Sequence, residues 1–260
     1  MSTESTPITP GAQPFLLSGG ATGILLVHGY GGSIGDYRPI AELLHRRGYT
    51  VSGIRLAGHG QDQPALRASQ VADWRQSVAA GVSDLRRTCP RMIMVGSSFG
   101  AILALDFAAQ YPSAVAGLVV VNSALSYSGG GVFQGLVLRI LKLFTPDLPK
   151  RGMTPAERAR AAQIGSASAW PISGVLETAQ FAKRIVRPAL PMIKIPTLIV
   201  SSAHDPIVGE RNSQFLFEHL GAMDKQRLTL PAATHRPFRD PAMNAFMAQA
   251  IDEFVRGLDD

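Results

Sequence analysis

Met92-Ile93-Met94-Val95-Gly96-Ser97-Ser98-Phe99-Gly100-Ala101 is the stretch on which the reading of this 260-residue chain turns. Four apolar residues of β character run into Gly96-Ser97-Ser98-Phe99-Gly100, and an apolar helical pattern follows over 101–110. A Gly-X-Ser-X-Gly turn between strand and helix sets its serine on a sharp bend, where backbone comes so close that small residues are needed two positions before and after it. Ser98 is therefore the candidate nucleophile. The chain holds 26 glycines, so the five letters alone arise easily from composition, and the flanking elements must carry the reading.

Outward from the elbow, short β-prone runs recur at 24–27, 49–51, 92–95, 118–121, 197–200 and 227–230. Several are wholly apolar, as in strands buried on both faces of a parallel sheet. Helical patterns lie between and after them at 36–47, 71–87, 101–110, 212–219 and 240–255. The alternation predicts an α/β fold with a mainly parallel central sheet and helices on both faces. It lapses over 124–193, where Gly129-Gly130-Gly131, Pro146, Pro149 and Pro171 punctuate helix-like segments without a convincing strand. That segment is expected as a helical cap inserted between two parts of one core, 1–123 and 194–260, with 1–14 as a loose tail.

Within the expected cap, Val132, Phe133, Leu136, Val137, Ile140, Leu141 and Phe144 share one helical face, with Arg139 and Lys142 off it. The stripe is expected to pack onto the core. An acyl-binding roof or a surface making transient contact with lipid are its other readings.

Composition removes several classes of function. Net charge is +6, but the basic residues are scattered and form no nucleic-acid patch. No apolar run approaches the length of a membrane span, and the first residues lack a basic segment leading into an apolar one. The single cysteine, Cys89, cannot form an intramolecular disulfide, which makes cytoplasmic residence the default. The histidines and cysteine lack metal-ligand spacing, so neither a metal nor an organic cofactor is expected.

A serine hydroxyl needs a base to take its proton, a carboxylate to orient that base, and donors for the oxyanion. Asp205 lies in the loop after the run at 197–200, and His235 in the loop after 227–230, where both reach the edge of the sheet that carries Ser98. Asp224 precedes its strand and Asp240 follows the histidine, which makes them weaker candidates for the acid. His28-Gly29-Tyr30-Gly31-Gly32 follows the run at 24–27. Its glycines let the Tyr30 amide face a ligand, and with the Phe99 amide it would form the oxyanion hole. His28 is expected to hold this loop rather than to titrate in catalysis.

The loop at 28–32, Arg55-Leu56-Ala57-Gly58-His59-Gly60, Ala72-Asp73-Trp74, the elbow at 96–100 and His204-Asp205-Pro206-Ile207-Val208 together resemble the α/β-hydrolase superfamily, within it bacterial monoacylglycerol lipases and small carboxylesterases. The resemblance implies the order serine, acid, histidine, with Ser98, Asp205 and His235 as triad and the Tyr30 and Phe99 amides as oxyanion hole. It implies hydrolysis of a small-molecule acyl ester through an acyl-enzyme on Ser98, without metal or cofactor. A thioesterase or acyltransferase would use the same residues, and a non-catalytic ligand-binding homologue is the alternative of another class. Two positions depart from the pattern: Phe99, whose side chain is expected to shape the pocket, and Arg236, a cation beside the histidine that is expected to point to water, contact with an anionic substrate group being its other reading.

Overall fold

A computed structural model describes residues 6–126, 132–150, 152–231 and 233–258, with the side chains of 132–134 left out. Its strands are β1 (Phe15–Leu17), β2 (Thr22–Val27), β3 (Thr50–Ile54), β4 (Arg91–Ser97), β5 (Gly117–Val121), β6 (Asp147–Pro149), β7 (Ala169–Pro171), β8 (Thr197–Ser202) and β9 (Lys225–Leu230). The helices are α1 (Arg38–His45), α2 (Gln63–Ala68), α3 (Val71–Arg86), α4 (Phe99–Gln110), α5 (Val132–Leu141), α6 (Pro155–Gln163), α7 (Ile172–Phe181), α8 (Arg187–Ala189), α9 (Arg211–His219) and α10 (Pro241–Gly257). No helix among the described residues is long and apolar enough to cross a membrane.

Seven strands form one sheet in the order β1-β3-β2-β4-β5-β8-β9, all neighbours parallel except the antiparallel edge strand β1. The six runs expected as strands all lie in it. β2, β4 and β5 are apolar on both faces because helices cover both: α3 and α4 on one side, α1 and α10 on the other. α4 is apolar nearly all round and buried from Phe99 to Ala108, so it runs through the core rather than over it.

Between β5 and β8 the segment from α5 to α8 stays out of this sheet, and β6 and β7 pair antiparallel with each other. Those two strands correct the expectation of a segment without strands. Each is three residues long and ends in proline, too short for any alternation to show. The glycines 129–131 fall outside the described residues.

Two further expectations change. The chain before β1 is docked from Thr6 onward: the Gln61 side chain donates to the Thr6 carbonyl (2.7 Å), the Thr9 amide to the Gly60 carbonyl (2.8 Å), and Ala12 is buried. Of the apolar stripe expected to pack onto the core, Leu136, Val137, Ile140 and Phe144 are exposed, and the side chains of Val132 and Phe133 lie outside the described residues. Periodicity identifies an apolar face but not its cover.

Candidate active site

Every residue of interest lies where a parallel strand ends at its carboxyl edge, the usual place for a ligand site in such sheets. β2 delivers the loop at 28–32, β4 Ser98, β5 Asn122, β8 Asp205 and β9 His235.

Ser98 sits at φ 55°, ψ −118°, a conformation costly for a residue with a side chain and stored here by the packing around it. A Cβ on Gly96 would come within 2.4 Å of the Gly100 carbonyl oxygen, and one on Gly100 within 2.2 Å of that of Val27. Both glycines are therefore required by contact rather than by turn preference alone. Ser98 precedes α4, so the Phe99 amide belongs to the first turn, whose N–H groups have no partner within the helix.

The three chemical groups meet. Ser98 Oγ lies 3.1 Å from His235 Nε2, and His235 Nδ1 lies 2.7 Å from Asp205 Oδ2. The second Asp205 oxygen accepts from the amides of Ile207 (2.8 Å) and Val208 (3.1 Å). Burial alone would raise the Asp205 pKa, but the bond and charge of His235 with the two amides outweigh it, and the carboxyl stays below the usual range. Asp205 can thus stay ionised while holding His235 as the Nδ1–H tautomer, which leaves Nε2 free to accept from Ser98. Asp224 and Asp240 are not brought in; Asp240 caps α10 by accepting from the Ala242 amide (2.9 Å).

Asn122, which sequence reasoning missed, fixes the histidine loop. Its amide nitrogen donates to Ser202 Oγ (2.9 Å), the His235 carbonyl (3.2 Å) and the Thr234 carbonyl (3.4 Å), while its oxygen accepts from the Ser202 amide (2.8 Å). It is buried at φ 46°. A lone asparagine directly after an apolar strand was the available signal, since asparagine tolerates the left-handed region better than most residues.

Two buried histidines brace the loop at 28–32. The Leu56 amide donates to His28 Nε2 (3.2 Å) and the Gly31 amide to His59 Nε2 (2.9 Å). Their Nδ1 atoms lie 3.0 Å from the carbonyls of Gly29 and Ala57, so both rings are neutral Nδ1–H tautomers. Burial lowers His28 to about 4 and takes His59 well below its ordinary value. His28 is thus a brace, as expected, and His59 is its twin.

The segment between β5 and β8 is tied to the same loop. Lys150 Nζ donates to the Gly31 carbonyl (2.6 Å) and Ser166 Oγ to the same oxygen (3.2 Å). Arg67 bonds Asp147 through two nitrogens (2.7 and 3.3 Å), and the Val71 amide donates to Glu177 (3.0 Å). Burial, with Arg236 and Arg239 nearby, pushes the Lys150 ammonium down to about 7.

Ser98, His235 and Tyr30 open onto a cavity of about 930 Å³, whose lining includes the apolar Leu125, Leu136, Val175, Leu176 and Ile207. Phe99 is not among its walls. Its ring is buried between Trp74 (5.3 Å between centroids), Phe181 (6.3 Å) and Tyr30 (6.4 Å), so the expectation that it shapes the pocket is corrected to an indirect role through Tyr30. Arg236, expected to point to water, instead lines the cavity.

Comparison with known proteins finds relatives along nearly the whole chain. A thermostable monoacylglycerol lipase from Bacillus sp. (strain H-257) is 27% identical over 97% of this chain and 98% of its own length. A carboxylesterase of Bacillus subtilis (strain 168) is 25% identical over the same shares. A solved structure of a metagenome-derived lipolytic enzyme superposes with a TM-score of 0.84 at 26% identity, covering 96% of this chain and 100% of that one. The family described as serine aminopeptidase, S33 matches residues 21–242. With that match across most of its length, and a seven-stranded sheet whose parallel edge presents the nucleophile elbow, the chain belongs to the serine aminopeptidase S33 family of α/β-hydrolases.

Proposed function

We propose that the chain cleaves carboxylic esters of short- to medium-chain acids, monoacylglycerol-like esters among them, through an acyl-enzyme on Ser98. The observation that carries this reading is the unbroken relay from Ser98 Oγ through His235 (3.1 Å) to Asp205 (2.7 Å), opening into a largely apolar cavity. Relatives named as a monoacylglycerol lipase and a carboxylesterase support it.

In the first step His235 Nε2 takes the Ser98 proton as Oγ attacks the acyl carbonyl. The amides of Tyr30 and Phe99 hold the oxyanion, and the imidazolium, stabilised by Asp205, returns the proton to the leaving alcohol. Water then attacks the acyl-enzyme by the same relay and frees Ser98. The segment 124–193 acts as a cap that shapes the acyl site, and the exposed α5 face rests transiently on lipid while substrate enters.

The family description names an aminopeptidase, whose substrate would bring a free ammonium. Among the described residues, Asp36 is the one carboxylate lining the cavity, and Arg239 already binds it through two nitrogens (2.9 and 3.1 Å). An ammonium group therefore meets repulsion there, and the ester reading is preferred. Hydrolysis of uncharged, unbranched p-nitrophenyl esters of increasing acyl length tests it. A rate maximum at short or medium length is expected, whereas preference for a peptide anilide would overturn it. Turnover of an acyl-CoA in place of a monoacylglycerol would move the reading to a thioesterase.

A further inference from the structure

The cavity is cationic beyond what an uncharged ester needs. Among the described residues, six arginine and lysine side chains line it against the single carboxylate of Asp36. That carboxylate is spent within the protein: Arg239 grips it from the histidine loop, and Arg160 of α6 approaches it at 3.6 Å. Several of the cations are rim residues free to point to solvent, and Arg187 stacks over the Phe215 ring at 4.2 Å.

Arg236 is different. It follows His235 directly, lines the cavity and is only partly exposed, yet among the described residues its guanidinium has no hydrogen bond and no ion pair. Burial lowers its pKa and the neighbouring Arg239 adds to this, while Asp36, already shared by two arginines, offsets it weakly. A guanidinium carries five donors in a planar fork matched to carboxylate and phosphate. Leaving such a group partly dehydrated and unpaired is costly unless a ligand completes it. Ser33, Tyr37 and the Asp36–Arg239 pair line the cavity with Arg236, and Tyr37, Asp36 and Arg239 lie close enough to act on its charge.

Resting on the ester-hydrolase reading above, we propose that the preferred ester carries an anionic carboxylate or phosphate, and that the Arg236 guanidinium binds that group beside the catalytic centre. The apolar residues lining the cavity take the hydrocarbon part. Arg236 supplies charge-assisted hydrogen bonds to the anion and takes no part in bond breaking.

Two matched pairs of esters test this with purified full-length protein. p-Nitrophenyl hydrogen glutarate against p-nitrophenyl pentanoate puts the charge on the acyl side. Octanoylglycerol phosphate against octanoylglycerol puts it on the alcohol side. The ratio of kcat/KM values, anionic over neutral, is expected to favour the anion in one of the pairs and to fall about ten- to a hundredfold in Arg236→Gln, the range expected for bonds to a charged group. Arg236→Lys should keep part of the preference, and Arg86→Gln, at the exposed end of α3, all of it. Added salt should shrink the wild-type ratio, a readout independent of any variant's folding. The pair that responds locates the charge. Ratios unmoved by Arg236→Gln and by salt in both pairs overturn the inference alone. Failure of the wild type to hydrolyse any of the four esters overturns the ester-hydrolase reading and the inference with it.

Discussion

Replacing Asn122 by alanine should loosen the active site without touching any group in the proton relay. The Asn122 side chain ties β5 to β8 and to the histidine loop through contacts of 2.8–3.4 Å. Alanine leaves the buried Ser202 amide unpaired, which costs about 1–3 kcal/mol. It also forces a Cβ residue into the left-handed region that asparagine occupies at φ 46°, for about 1–2 kcal/mol more. In a protein of this size a loss of about 2–5 kcal/mol lowers Tm by about 5–15 °C. Catalysis should suffer separately, because the His235 carbonyl loses its anchor and a drift of about 1 Å in a reacting group costs about a hundredfold in rate. Asn122→Gly, free of the backbone penalty, should be less destabilised than Asn122→Ala while losing comparable activity. Thermal unfolding followed by circular dichroism, with kcat on a p-nitrophenyl ester, reads both effects. An alanine variant with unchanged Tm and kcat, or a glycine variant less stable than the alanine one, would refute the assignment.

Other consequences follow from the same contacts. Gly100→Ala places a Cβ within 2.2 Å of the Val27 carbonyl oxygen, so it should lose at least the about 1–3 kcal/mol typical of overpacking, read as a lowered urea midpoint. Gly174→Ala would set a Cβ 1.9 Å from the Tyr30 hydroxyl and should shift acyl-length preference in the p-nitrophenyl series, because Tyr30 lines the cavity and must move. His28, ordinarily near 6.5 but held at about 4 in the fold, takes up a proton on unfolding anywhere between those values. Its contribution is whole above 6.5 and lost as pH falls toward 4, about 3 kcal/mol at most. His28→Gln should flatten the fall of the urea midpoint with acidification, and an unchanged slope would remove His28 as its source.

The parts of the site that could be read in advance are those fixed by one strand and the loop after it. Ser98, Asp205 and His235 each follow a β-prone run, and a parallel sheet brings the ends of such runs to one edge whatever the detail between them. Asn122 escaped because its importance lies in three residues, Ser202 at the end of β8 and Thr234 and His235 in the loop after β9, none of which marks it in sequence. Arg236 was misread for a related reason. Whether an arginine faces water or a cavity depends on whether the nearest carboxylate is free, and Asp36 is taken by Arg239, 203 positions away. Phe99 was misplaced because the helix it begins is buried nearly all round, so the residue after the nucleophile turns into the core. β1, β6 and β7 are three residues each, below the length at which periodicity carries information. The α5 stripe shows the converse, a strong pattern whose partner is not within the described residues.

The central claim is that Ser98, and no other serine, becomes covalently acylated. Reaction of the purified protein with a fluorophosphonate, followed by mass spectrometry of its peptides, tests this most directly, since the elbow offers two adjacent hydroxyls, Ser97 and Ser98, and only the latter lies on the His235 relay. One adduct is expected, on Ser98, formed in step with loss of ester turnover and absent from Ser98→Ala. An adduct on Ser97, or ester turnover persisting in Ser98→Ala, would contradict it.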